Sequence, residues 1–245
     1  TQHLINSSPP TSNRPNRLIT SKTKKNKLIT KEERTLIHLK IYNKTPILKV
    51  NKLNVSYGYN KIIKDISFDL YRGETLGIVG ESGSGKSTIA KSILGIVKTE
   101  NGEVYFKDEN IKNISNSVFR KKVQLIFQDP YSSLNPEVSV GRSIIEPMIA
   151  HKIFSSKKEM KIRVLELLNQ VGLLESDYNK FPNQFSGGQR QRIVIARALA
   201  LNPEIIICDE SVSALDVSVQ AQILNLLSDL KERYLFTFIF ISHDM

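Results

Sequence analysis

Three short runs of this sequence carry residue types suited to handling phosphate. Gly80 to Ser87 reads GESGSGKS and fits the pattern G-x-x-x-x-G-K-[ST]. Small residues there let backbone N–H groups turn inward around phosphate oxygens, and the start of the following helix adds its partial positive charge. Gly80, Glu81, Ser82, Gly83, Ser84 and Gly85 would form the cradle, with Lys86, Ser87 and Thr88 opening the helix. Lys86 is placed to reach β and γ phosphates, and the Ser87 hydroxyl to bind Mg²⁺. Asp209 and Glu210 close the apolar run IIIC. An Asp at a strand end can hold Mg²⁺, usually through water, while the adjacent Glu polarises an attacking water. Ser186, Gly187, Gly188 and Gln189 precede another helix, so helix N-terminal amides are exposed to an anion a second time. Cys208 has no His partner or cysteine cluster nearby in the sequence and reads as a small buried apolar residue.

These runs need elements that hold them in place. From Ile47, LKVNKLNVSY alternates apolar and polar residues, and IIKDISFDLY repeats the pattern after a YGYNK turn, which predicts two antiparallel strands. ETLGIVG reads as a short buried strand and KSTIAKSILGIV as a helix, giving strand, glycine loop, helix. Residues 102–107 and 123–127 read as further strands. KKEMKIRVLELLNQVGL puts Met160, Val164, Leu167, Leu168 and Val171 on one helical stripe, a packing surface. RQRIVIARALAL is a helix closed by Asn202 and Pro203, and IIIC is a continuous apolar run expected of a central parallel strand. A helix from about Val219 to Arg233 and a last strand, FTFIFIS, ending at His243 complete the pattern. Strands alternating with helices predict an α/β fold with a mostly parallel sheet and a ligand at the carboxyl ends of its strands.

The chain has 245 residues and a formal net charge of +11. That charge is not spread over it. Residues 1–52 carry 12 Lys or Arg against Glu32 and Glu33, and residues 53–245 carry 23 against 22, so the basic excess is N-terminal. Residues 7–31, rich in Ser, Thr, Asn, Pro and Lys, have no apolar period and read as a flexible basic linker, with anionic lipid or RNA as alternative contacts. One cysteine excludes an internal disulfide. No run is long and apolar enough for a membrane-spanning helix, so the chain is expected to be soluble.

Taken together the motifs resemble the nucleotide-binding cassette of ATP-binding cassette (ABC) transporters over about residues 47–245. FSGGQRQR is similar to the family's signature motif, with Phe185 where Leu is more usual. Gln128 in FQDPYSSLNP resembles the Q-loop, SALD ending at Asp216 the D-loop, and His243 the switch histidine. Tyr57, 23 residues before Gly80, matches the aromatic that stacks on adenine, with Tyr59 the rival. The resemblance implies a P-loop ATPase with a mostly parallel sheet, an antiparallel β subdomain and an α-helical signature subdomain at about 130–190. It implies ATP and Mg²⁺ as ligands, with Ser87, Gln128 and Asp209 at the metal and Glu210, His243, Lys86 and Gln128 in catalysis. Ser186, Gly187, Gly188 and Gln189 would serve the nucleotide of a partner cassette, and Asp216 is also implied at the nucleotide.

QDPYSSLNP, FSGGQRQRI and SALDVSVQAQILNLL narrow the resemblance to importers of peptides, nickel and glutathione, although Ser211 stands where most of that branch has Pro. TQHLINSSPP is similar to the closing tail of a preceding cassette of the branch. Residues 1–46 are therefore expected to be such a tail plus linker, and 47–245 a C-terminally truncated second cassette of a fused pair. The implied partners are another cassette of the same polypeptide, two transmembrane permease subunits and a substrate-binding protein, at the cytoplasmic face of the membrane. The competing reading is a non-transport cassette ATPase acting on nucleic acid. The near-neutral body of the chain and the absence of zinc-ligand cysteines speak against it.

Overall fold

A computed structural model describes Leu18, residues 31–213 and residues 215–242. In chain order the elements are α1 (Lys31–Tyr42), β1 (Leu48–Tyr57), β2 (Asn60–Leu70), β3 (Thr75–Val79), α2 (Lys86–Ile93), β4 (Asn101–Phe106), β5 (Glu109–Asn110), α3 (Asn116–Lys122) and β6 (Val123–Ile126). They continue with α4 (Pro130–Ser133), α5 (Val140–Ala150), α6 (Lys157–Gln170), two 3₁₀ turns (Glu175–Asn179 and Pro182–Gln184), α7 (Gly187–Leu199), β7 (Ile205–Asp209), α8 (Val217–Tyr234) and β8 (Thr237–Ser242). Two compact units emerge. One comprises His38–Ile126 and Pro203–Glu210 with the last strand; the other comprises Phe127–Asn202 and Ser211–Tyr234 with the segment before His38.

The first unit contains both sheets. β2-β1-β4-β5 is antiparallel throughout, and β3-β8-β7-β6 is parallel throughout. The expected mostly parallel sheet is thus one all-parallel sheet beside an all-antiparallel one. β7 is buried at every residue, as its unbroken IIIC run requires of a strand with neighbours on both edges. α2 packs against both sheets: Ile89, Ala90 and Ile93 join one apolar cluster with Val50 and Val55 of β1, Ile205 and Ile207 of β7, and Ile239 and Ile241 of β8. Burying several such side chains contributes roughly 1.5–3 kcal/mol each, which fixes the start of α2 relative to the ends of β3 and β7.

Glu204 knots the other end of the parallel sheet. Its carboxylate accepts from Arg72 at 2.5 Å, Lys107 at 2.8 Å and Lys122 at 3.1 Å, joining segments next to β3, β4 and β6. Burial alone would raise this carboxyl, but hydrogen bonds from Lys107, Arg72 and Lys122 hold it down at about 2.

The second unit is helical. Met160, Val164, Leu167, Leu168 and Val171 are all buried, so the stripe read from the sequence is packing surface. Ile144 and Met148 of α5 and Ile193 and Val194 of α7 complete the core around it. α7 begins at Gly187, inside the SGGQ run, because Ser186 caps it: the Ser186 Oγ accepts from the Gln189 N–H, and the Gln189 Oε1 accepts from the Ser186 N–H.

The stretch before Ile47, expected to be tail and linker, contains a helix, α1. No apolar stripe announces it. The Tyr42 hydroxyl holds its end by donating to Glu74 Oε1 at 2.7 Å, and the Tyr42 ring packs edge-on against Tyr71 at 4.9 Å. Leu18 exchanges both backbone hydrogen bonds with the Asn225 amide of α8, at 2.9 and 2.8 Å. The remaining residues of the expected linker and of the TQHLINSSPP tail lie outside the described residues.

Candidate nucleotide site

β3 and β7 run parallel, so Gly80 and Asp209 emerge at the same edge of the sheet. Between them sits the loop Gly80–Gly85. Its backbone turns where Ser84 N–H donates to the Glu81 carbonyl at 3.2 Å, and it enters α2 through Gly85 at φ +94°. A Cβ on Gly85 would lie 2.8 Å from Ile62 Cγ2 and 3.2 Å from the Ile62 carbonyl oxygen, so neither the backbone angle nor the space admits a side chain. No side chain caps α2, which leaves its N-terminal amides available to an anion. Glu81, Ser82, Gly83 and Ser84 are exposed at the mouth.

Lys86 is buried, at 6% exposure, and its Nζ donates to the Gly80 carbonyl at 2.8 Å and the Glu81 carbonyl at 2.7 Å. Those two carbonyls hold the ammonium across the loop, where phosphate oxygens would compete for it. The Ser87 Oγ donates to Asp209 Oδ1 at 2.8 Å. This one bond joins the first turn of α2 to the end of β7 across 122 residues of sequence. Burial pushes the Asp209 carboxyl up from its ordinary value, and neighbouring Glu210 adds to this; the Ser87 hydroxyl, Lys91 and Lys86 pull the other way. A buried carboxylate held up in this way gains from a cation.

The residues also fit Mg²⁺. Adjacent oxygens around an octahedral Mg²⁺ at about 2.1 Å lie about 3 Å apart, close to the Ser87–Asp209 separation. Among the described residues no cluster of three or more His, Cys, Asp or Glu forms a metal cage.

Glu210 has φ +46°, a left-handed conformation uncommon for Glu, and its N–H donates to the Ile241 carbonyl at 3.0 Å. Nothing in the sequence marked this turn. Tyr57 ends β1 with its side chain half exposed, and Tyr59 is fully exposed at the tip of the hairpin. Cys208 is buried as expected. His243 lies outside the described residues.

In the helical unit, Gln128 Nε2 donates to Ser213 Oγ at 3.4 Å. Asp216 accepts the Val219 and Gln220 N–H groups through its carbonyl and so starts α8. Phe185, in place of the more usual Leu, is buried at 6% exposure, with Lys180 over its ring at 5.8 Å. Two residues not anticipated from the sequence flank the SGGQ turn. Arg190 stacks over the exposed Tyr131 ring at 4.1 Å and donates from Nε to the Pro182 carbonyl at 2.7 Å. A pairing of this kind depends on tertiary placement and leaves no local pattern to read.

Comparison with known proteins agrees with this geometry. The family model described as ABC transporter matches residues 63–213. The oligopeptide transport ATP-binding protein OppF of Bacillus subtilis is 51% identical over 192 residues, covering 77% of this chain and 63% of that protein. The glutathione import ATP-binding protein GsiA of Escherichia coli K12 is 51% identical over 186 residues, covering 75% of this chain and 30% of that protein. The chain therefore spans about two thirds of the OppF relatives and under a third of the GsiA relatives. Among solved structures, cbiO1 from Clostridium perfringens superposes with a TM-score of 0.73 at 29% identity, covering 82% of this chain and 80% of that one. The dimeric bacterial ABC transporter cassette MJ0796 superposes with a TM-score of 0.71 at 33% identity, covering 80% and 88%.

Proposed function

Since the chain belongs to the ABC transporter family, we propose that it binds and hydrolyses ATP to power an importer of di- or oligopeptides or glutathione. The observation that carries this reading is the Ser87–Asp209 hydrogen bond beside Lys86 at the mouth of the glycine loop. A hydroxyl, a carboxylate and an ammonium so close together support a site for a triphosphate and its cation.

The loop amides of Gly80–Gly85 and the N-terminus of α2 bind the phosphates. Lys86 exchanges its two loop carbonyls for phosphate oxygens and steadies the charge that develops on the γ phosphoryl group. Ser87 and Asp209, with Gln128 as a further ligand, would hold Mg²⁺, which would supply positive charge to the phosphate oxygens. Glu210 orients the attacking water and accepts its proton. The role of phosphate sensor goes to His243 by its resemblance to the switch histidine, and Tyr57 stacks on adenine. Ser186, Gly187, Gly188 and Gln189 complete the site of an opposing cassette, and Asp216 serves nucleotide binding. The names of the OppF and GsiA relatives support the peptide or glutathione assignment.

The partners that follow are a second cassette, which a fused polypeptide would supply, two membrane permease subunits and a substrate-binding protein. Such a subunit sits peripherally on the cytoplasmic face; among the described residues no helix is long and apolar enough to cross a membrane. Phosphate release from ATP by the purified chain, beside its Lys86→Ala variant, tests the reading. Mg²⁺-dependent release that Lys86→Ala abolishes is expected. Folded protein that neither binds nor hydrolyses ATP contradicts it.

A further inference from the structure

Gln191 of α7 is fully buried, at 0% exposure, and neither its Nε2 nor its Oε1 has a hydrogen-bond partner. Burying both ends of a primary amide unpaired costs free energy that an apolar side chain of the same size would not. The location gives the cost a meaning. Gln191 lies four residues after Gly187 and three after Gly188, hence one turn further along the same helix face. That face is pressed against the segment that follows Glu210. A Cβ on Gly188 would lie 2.5 Å from Val219 Cγ1, and one on Gly187 3.3 Å from Leu215 Cδ2. The same segment opens with Ser211, 3% exposed, whose hydroxyl is likewise buried without a partner. One helix face and the segment packed on its glycines thus carry three buried polar atoms without a partner.

We propose that Gln191 is a positioning residue for the segment that opens with Ser211: its amide takes hydrogen bonds from that segment, Ser211 included, in the nucleotide-bound arrangement. The unpaired state is then the resting arrangement, and pairing is what nucleotide binding gains. Because Ser211 is peptide-bonded to Glu210, the segment's position fixes the backbone that presents the Glu210 carboxylate. Ser211 supplies both a hydroxyl and a backbone N–H for the purpose. The inference rests on the ATPase reading above.

The test uses the whole chain, with Gln191→Met, Ser211→Ala and the double variant, measuring melting temperature, kcat and KM for ATP. Met matches the length of Gln without its amide. Gln191→Met is expected to melt at the same or a higher temperature and to lose at least tenfold in kcat, with KM within about twofold. Ser211→Ala should lose kcat in the same direction, and the double variant no more than the worse single one, since both remove the same pairing. Two outcomes overturn the inference while leaving the ATPase reading intact: Gln191→Met with unchanged kcat, or a lower melting temperature with kcat lost only in proportion to folded protein. Wild-type chain that binds no ATP would instead defeat the reading on which it rests.

Discussion

Ser87→Ala removes one oxygen from the bond that joins α2 to β7, and its effect can be worked from the geometry. The hydroxyl donates at 2.8 Å to a buried carboxylate. A hydrogen bond to a charged group contributes about 1.5–3 kcal/mol, and the same oxygen is one of the groups proposed to hold Mg²⁺. At 1.4 kcal/mol per factor of ten, losing it should weaken the Mg²⁺-dependent part of ATP binding by about 10- to 150-fold. Affinity without Mg²⁺ should hardly change, because the loop amides and Lys86 are untouched. The pH dependence follows as well. Ser87 is one of the groups that lower the Asp209 carboxyl against burial, so the variant raises it further. Its Mg²⁺-dependent binding should then fade at a higher pH than in the wild type. Calorimetric titration of ATP with Mg²⁺ and with EDTA, over a range of pH, measures both effects. Equal Mg²⁺ dependence in variant and wild type would refute the assignment of this pair to the metal.

Gly85→Ala should lose ATP binding by more than about tenfold, because its Cβ meets Ile62 and φ is +94°; titration of the folded variant checks it. Tyr57→Ala should raise the KM for ATP by about tenfold, as loss of one stacked base costs about 1–3 kcal/mol, while Tyr59→Ala leaves it unchanged; the opposite result would transfer the role to Tyr59. Glu204→Gln should destabilise the fold at pH 7. A carboxyl brought from 4.5 to about 2 corresponds to at most about 3.4 kcal/mol, and screening of the partly exposed cations reduces that to about 1–2 kcal/mol. Because the folded value is depressed, this stability is present above the unfolded value and is lost as pH falls towards 2. Urea unfolding of the two proteins should therefore converge on acidification.

Where a local pattern has one physical solution, the sequence sufficed. The IIIC run could only be a strand covered on both faces, and β7 is. GESGSGKS was read as a glycine loop between a strand and a helix, and it is one, entering the helix through Gly85 at positive φ. Features fixed by distant contacts were not legible. α1 lacks an apolar stripe and ends on Tyr42, which is held by Glu74, 32 residues away. The left-handed turn at Glu210, the Arg190–Tyr131 stack and the unpaired Gln191 depend on what tertiary packing brings beside them. Ser186 and Gln189 were read for their exposed amides, yet their side chains cap α7, so the run builds the helix terminus that it offers to an anion.

The most direct measurement of the central claim is ATP binding and turnover by Glu210→Gln, with the molar mass followed by light scattering. The substitution keeps the size of the side chain and removes the carboxylate that orients water. The account predicts ATP affinity within about threefold of wild type, turnover reduced at least a hundredfold, and a dimer that persists in ATP and Mg²⁺. Turnover equal to wild type would contradict the role given to Glu210 and with it the proposed site.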